Sequence, residues 1–233
     1  MPPRLAGMNA AAAPVRLRID FVSDVVCPWC AIGLASLEQA LARVGGEIEA
    51  ELHFQPFELN PQMPREGEDI VSHLSRKYGI DASQIARNRD AIRQRGAALG
   101  FRFGAPERIH NTFDAHWLLH WAGLEGRQHA LESALFAAYH SDAQDPGDAG
   151  VLAACAARAG LDADRAREVL ASGMYADEVR ASERHWLALG VNSVPAVIVD
   201  ERHLISGGQP PEVFEQALRR IAAQDRSAAE PAR

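Results

Sequence analysis

Two thiols separated by two residues, Cys27-Pro28-Trp29-Cys30, follow shortly after the apolar run Ile19-Asp20-Phe21-Val22. At the mouth of a helix this spacing puts both sulfurs on the first turn, where they can close as a disulfide or part as a dithiol. The chemistry it allows is thiol–disulfide exchange. Unpaired backbone N–H groups and the macrodipole favour negative charge at a helix N-terminus, so Cys27 is the expected nucleophile. Cys30, one turn deeper, is the expected resolving thiol. Pro28 suits the first helical position because its ring presets φ and its missing N–H would have had no partner there. Trp29 is expected to stay partly exposed, as an apolar platform for a disulfide partner or a shield over the bond.

A CxxC can also be half of a zinc site, but such a site normally adds a second Cys/His pair at similar spacing, and the sequence has none. Cys155, the third of three cysteines, stands alone in an alanine-rich stretch and reads as a small core residue. His116 and His120 are spaced i, i+4 and would share a helix face with Trp117 and Trp121 interleaved. No third ligand accompanies them, so no metal is expected. Three cysteines make no disulfide framework, which leaves the paired thiols as working groups.

Elements that could position them are legible around the motif. Val15 to Ser23 alternates before entering a core, the apolar positions Ile32, Leu34, Leu37, Leu41 and Val44 recur at helical spacing, and Ile48 to Phe57 alternates again. Strand, helix, strand is a βαβ unit. Residues 67–189 contain no convincing strand, only helical patterns broken at Gly79, Gly100, Gly126, Pro146-Gly147, Gly160 and Gly173. Val194 to Asp200 and Arg202 to Ser206 then read as a hairpin turning at Asp200-Glu201, and Pro210-Pro211 opens a last amphipathic helix.

The expected fold class is therefore α/β, with a large all-helical insertion between a βαβ half and a ββα half. The expected organisation is a disordered tail over 1–14, an α/β domain from 15–66 and 190–224, the insertion over 67–189, and a flexible tail over 225–233. Met8 is an alternative start to Met1.

The chain of 233 residues is 47% hydrophobic with a net charge of -7, enough to bury a core and without the basic stripe that marks a nucleic-acid partner. Lys77 is the one lysine among 24 basic residues, which reads as compositional bias. No run approaches the roughly 20 apolar residues a membrane helix needs, and Met1 to Pro14 lacks the apolar stretch of a secretory signal. A cytoplasmic location is the expectation.

The order of parts, CxxC on a βαβ unit, a helical block, then Val-Pro before a hairpin and final helix, resembles the thioredoxin superfamily, and within it the DsbA-like family. Asp20-Phe21-Val22-Ser23-Asp24, Gln55-Pro56-Phe57-Glu58-Leu59-Asn60-Pro61, Asn111-Thr112-Phe113-Asp114-Ala115-His116 and Gly190-Val191-Asn192-Ser193-Val194-Pro195-Ala196 resemble FrnE-type oxidoreductases. The resemblance spans about residues 15–222 and implies a thioredoxin-like fold. Relatives in that branch include 2-hydroxychromene-2-carboxylate isomerases and kappa-class glutathione transferases, which usually carry serine where this chain has Cys27.

The resemblance implies that the Val194-Pro195 bond is cis and lies against the Cys27 sulfur, exposing the Val194 backbone to a substrate strand. It also makes Asn111 and His116 substrate-pocket candidates, with Asn111 or Thr112 as a helix N-cap. Trp117 replaces the arginine that many relatives have after that histidine. The implied function is a thiol–disulfide oxidoreductase, including disulfide isomerase activity, acting on a protein or small-molecule disulfide with an unidentified redox partner. The dithiol is itself the redox group, so no cofactor is required. Glutathione is the one candidate, and Ser206-Gly207-Gly208-Gln209 departs from the Ser-Asp pair with which kappa-class enzymes hold it. The alternative is a glutathione-dependent isomerase or transferase of an aromatic or polyketide-like molecule.

Overall fold

In the computed structural model, which describes residues 13–229, strand β1 (Val15–Ser23) is the centre of the molecule. It pairs in parallel with β2 (Ile48–Pro56) and antiparallel with β5 (Ala196–Val199), which pairs antiparallel with β6 (His203–Ser206). The sheet order is β2-β1-β5-β6. Flanked on both sides, β1 buries every residue from Ile19 to Ser23, which is why its alternation fades into a continuous run before the motif. Asp200 and Glu201 both take positive φ, 49° and 56°, in the tight turn between β5 and β6.

Helix α1 (Pro28–Val44) packs on the sheet beside the last helix, α9 (Pro211–Ala229). Leu34, Leu37 and Val44 meet Phe214, Leu218 and Ile221 over Leu17, Ile19, Phe21, Val197 and Val199, and this core also takes in Cys27 and Cys30. The thiols are thus set in the core that joins the sheet to α1 and α9. Two glycines permit that packing. A Cβ at Gly33 would lie 3.0 Å from Pro195 Cγ, and one at Gly208 would lie 2.9 Å from the Trp29 carbonyl oxygen.

The insertion runs through β3 (Glu68–Asp69), α2 (Ile70–Tyr78), α3 (Ala82–Ala98), β4 (Arg108–Ile109), α4 (Phe113–Leu124), α5 (Gln128–Phe136), a π-helical turn (Ala137–Ser141), α6 (Ala149–Arg158), α7 (Ala163–Ser172) and α8 (Ala176–Ala188). Four of these helices start at an aspartate: Asp69, Asp81, Asp148 and Asp162 accept from the amides of Ser72, Gln84, Val151 and Arg165. Each cap contributes about 1 kcal/mol. Leu118, Trp121, Leu131, Leu135 and Leu152 form a second core around Cys155, whose thiol is held above its ordinary value chiefly by burial.

Two expectations need correction. The insertion is not all helical, because β3 and β4 pair antiparallel, and strands of two residues are too short to show any alternation. A flexible tail does not begin at 225. Asp225 pairs with Arg202 at 3.2 Å and Arg226 donates to the Glu47 carbonyl at 3.2 Å, anchoring α9 as it continues to Ala229. The rest of that expected tail, 230–233, lies outside the described residues, as does the expected disordered tail apart from Ala13 and Pro14. Among the described residues no helix is long and apolar enough to cross a membrane.

Candidate active site

Cys27 is the N-cap of α1, with Pro28 at the first helical position. The loop from β1 is closed by a bond from the Cys27 amide to the Asp24 carbonyl at 3.0 Å, and the amide of Cys30 returns to the Cys27 carbonyl at 3.0 Å. The Cys27 thiol points at the Val194 carbonyl oxygen, 3.8 Å away. The Val194-Pro195 peptide bond is cis. Cys27, Cys30 and Cys155 are all free thiols.

The two sulfurs of the motif have different surroundings. Cys27 is 4% exposed and lines a groove of about 800 Å³, whereas Cys30 has no exposure at all. Burial, followed by its hydrogen bond and charge interaction with Cys27, holds the Cys30 thiol well above its ordinary value. Cys30 therefore keeps its proton while a partner approaches Cys27.

The groove lies between the motif and the insertion. Pro28, Trp29 and Val194 form one side, and Leu74, Tyr78, Ile85 and Ile92 of α2 and α3 form an apolar wall. Lys77, Arg89 and Arg93 also line it. Lys77 is tied down by bonds to the Leu59 carbonyl (2.8 Å) and Asn60 Oδ1 (2.7 Å), and Arg89 by a bond to the Pro106 carbonyl (2.8 Å). Trp29 is 36% exposed, with the Arg95 guanidinium 5.2 Å over its ring.

Two candidates from the sequence lie elsewhere. Asn111 donates to the Met63 carbonyl (3.1 Å) and accepts from the Phe113 amide (3.0 Å), so its side chain is spent on holding a loop and opening α4. Thr112 has the N-cap position without making the side-chain bond. His116 is buried, faces Asp24 at 3.6 Å, and lines a second cavity that shares no lining residue with the Cys27 groove. Neither side chain lines the groove that Cys27 opens into. The α4 face that carries His116 turns inward, and helical spacing alone cannot tell a pocket face from a core face. His120 packs its ring on Tyr175 at 5.2 Å.

The motif-centred reading of the sequence missed His140 and Asp24. His140 is carried on the π-helical turn, among the rings of Phe101, Phe103, Phe136 and Tyr139. Burial pushes its imidazole down to about 3, against the carbonyls of Val25 and Cys27 that would favour a proton on it. A histidine and serine interrupting the apolar Leu135-Phe136-Ala137-Ala138-Tyr139 run were the available signal. Asp24 is fully buried, and its carboxylate accepts from the amides of Leu59 (2.7 Å) and Val26 (3.4 Å), fixing the loop that carries Cys27.

The sheet order, the helix on the dithiol, and the Val194-Pro195 loop facing it define a thioredoxin-like protein. The chain belongs to the family of the DSBA-like thioredoxin domain, whose model matches residues 18–219. A probable DsbA oxidoreductase from Streptomyces coelicolor is 36% identical and superposes with a TM-score of 0.82, covering 93% of each chain. The uncharacterized protein YwbO of Bacillus subtilis is 28% identical over 87% of this chain and 96% of its own length. The cytosolic disulfide reductase DsbM from Pseudomonas aeruginosa, solved with GSH, shares the fold at 18% identity and a TM-score of 0.59, over 88% of this chain and 98% of its own.

Proposed function

We propose that this member of the family is a thiol–disulfide oxidoreductase that works through a mixed disulfide on Cys27. The observation that carries the reading is the asymmetry of the pair: Cys27 lines an open groove at a helix N-terminus, and Cys30 is wholly buried behind it. The Cys27 thiolate attacks a substrate disulfide, one substrate sulfur leaves as a thiolate, and Cys30 then displaces the other from Cys27. Run in reverse, the same steps oxidise a dithiol. The apolar groove wall and the Trp29 ring favour disulfides flanked by apolar groups, in a protein or a small molecule, with Pro28 and Val194 alongside. The dithiol needs no added cofactor. The working compartment in this reading is the cytoplasm, where a reductant would restore the thiols between turnovers.

The test is equilibration of the purified protein with glutathione buffers of graded ratio. A reversible loss of two hydrogens, mapped to a Cys27–Cys30 bond, is the expected result, and the midpoint separates a reductase from an oxidant. A pair that never closes would sink the proposal. Glutathione-dependent turnover of an aromatic substrate that survives Cys27→Ser and Cys30→Ser together would replace it with the isomerase or transferase reading.

A further inference from the structure

The groove at Cys27 has a sign of charge opposite to that of the chain. The protein carries a net charge of -7, yet Lys77, Arg89 and Arg93 line the groove, and among the described residues lining it Glu58 is the only carboxylate. Glu58 is spent, because it is buried against Arg180, which also donates to Glu183 at 2.8 Å. Arg93 is paired with Asp90. Lys77 and Arg89 differ from it. Their partners are neutral oxygens, the Leu59 carbonyl and Asn60 Oδ1 for Lys77 and the Pro106 carbonyl for Arg89, and among the described residues neither is in ion-pair contact with a carboxylate. These bonds fix both heads and leave one N–H of Lys77 and four of Arg89 for a ligand.

Each of the two cations is set among apolar side chains. On α2, Leu74, Lys77 and Tyr78 fall at i, i+3 and i+4, and on α3, Ile85, Arg89 and Ile92 fall at i, i+4 and i+7, so each helix turns an apolar stripe with one cation in it toward the groove. Burial lowers the Lys77 ammonium and the charge of Asp24 opposes that, but Asp24 is fully buried and lines neither cavity. An apolar wall with a few fixed donors is the form of a site that takes an apolar body and orients it by one polar group. The polar group that two unneutralised cations orient is an anion, and a guanidinium matches a carboxylate in shape.

Resting on the dithiol reading above, we propose that Lys77 and Arg89 make the Cys27 groove a site for disulfides that carry a carboxylate on an apolar body, and so draw an anionic substrate to a thiolate that would otherwise repel it. The Cys27 thiolate bonds to one substrate sulfur, the substrate S–S bond breaks, and its electron pair leaves on the second sulfur as a thiolate. Lys77 and Arg89 take no proton or electron in this step. They are specificity residues.

Stopped-flow reaction of the reduced protein with the chromogenic disulfide dithiobis(nitrobenzoate), and with its uncharged bis-carboxamide, tests the assignment through release of the coloured thiolate. Each rate is divided by that of mercaptoethanol under the same conditions, which removes the difference in intrinsic reactivity. In the wild type at low salt the corrected rate for the carboxylate should exceed that for the amide by about tenfold, and the excess should shrink as salt rises. Arg89→Gln and Lys77→Gln should each lower the ratio severalfold, and Arg89→Lys should retain most of it. Arg87→Gln removes the same charge from α3 at a position outside the groove and should leave the ratio unchanged. Oxidised glutathione, which has carboxylates without an apolar body, should fall well below the aryl carboxylate after the same correction. Peptide disulfides with Glu or Gln beside the cysteine and apolar residues around it, followed as adducts of Cys30→Ala, identify the source: a Glu preference admits protein substrates, and its absence beside a retained aryl preference restricts the site to small molecules. A corrected wild-type ratio at or below one, a ratio unmoved in both Arg89→Gln and Lys77→Gln, an equal fall in Arg87→Gln, or glutathione disulfide matching the aryl carboxylate would overturn the proposal. Release from neither aryl compound in the wild type would instead count against the dithiol reading itself.

Discussion

Replacing Cys27 by serine is expected to lower the rate of disulfide exchange by about a thousandfold or more, because a hydroxyl at that position is a far weaker nucleophile and no other thiol can take its place. Cys30 has no exposure and sits behind Cys27, and Cys155 is enclosed in the second core. The substitution removes one sulfur from the end of a helix and leaves the packing of α1 on α9 intact, so the loss should not be accompanied by unfolding. Cys30→Ala separates the two roles. Its first attack on a disulfide should proceed at a rate near that of the wild type, while turnover stops at the mixed disulfide. Kinetics of thionitrobenzoate release, with circular dichroism as the check on folding, measure both. Exchange in Cys27→Ser within a few-fold of wild type would move the nucleophile elsewhere.

Acid stability should depend on a histidine that takes no part in the bond exchange. The native His140 is depressed from 6.5 to about 3 by burial, so below the unfolded value the unfolded chain binds a proton that the native one refuses. Stability tied to His140 is therefore present above about pH 6.5 and is lost as the pH falls toward the native value. By linkage the loss reaches about 3 kcal/mol at about pH 4. Glu132 acts with the opposite sign. Its native value of about 7, raised from 4.5, means that the native state binds more protons across that window, so this contribution grows as the pH falls. The two nearly cancel in the wild type, so a modest pH dependence there decides nothing. His140→Phe, which keeps a ring among Phe101, Phe103 and Phe136, should lose the acid-labile part alone. Urea denaturation at neutral and acid pH should show the variant gaining about 3 kcal/mol on the wild type between the two. Parallel pH profiles for both proteins would mean that His140 is solvated or protonated in the fold.

How much of this was readable from the sequence follows from how local each feature is. The strands and helix around Cys27-Pro28-Trp29-Cys30 were legible because their periodicities change from two to helical and back at clear punctuation. The Pro28 first position and the Asp200-Glu201 turn are set by neighbouring residues. Pairs such as Glu68–Ile109 were not legible, since a two-residue ladder depends on chain segments that tertiary packing brings together. Asn111 and His116 are pocket candidates through the family resemblance of their segment at the start of α4, and the structure places neither in the Cys27 groove. Which way that helix turns is decided by the second core, and Asp24 and Glu132 draw His116 inward. His140 was missed for the same reason. It approaches the carbonyl of Cys27 only because a π-helical turn re-aims the end of α5, and π-helical turns leave no periodic signature. Of the buried groups behind the motif, His116 and His140 are distant from it in sequence, whereas Asp24 stands three residues before Cys27.

The central claim is that a substrate becomes covalently attached to Cys27 and is released by Cys30. Incubating Cys30→Ala with a reduced and an oxidised peptide that differ only in one disulfide, followed by mass spectrometry without reductant, tests it most directly. The account predicts a single adduct that forms only with the oxidised peptide, maps to Cys27, and disappears on adding dithiothreitol. An adduct on Cys155, or none at all while the wild type still reduces the same peptide, would contradict it.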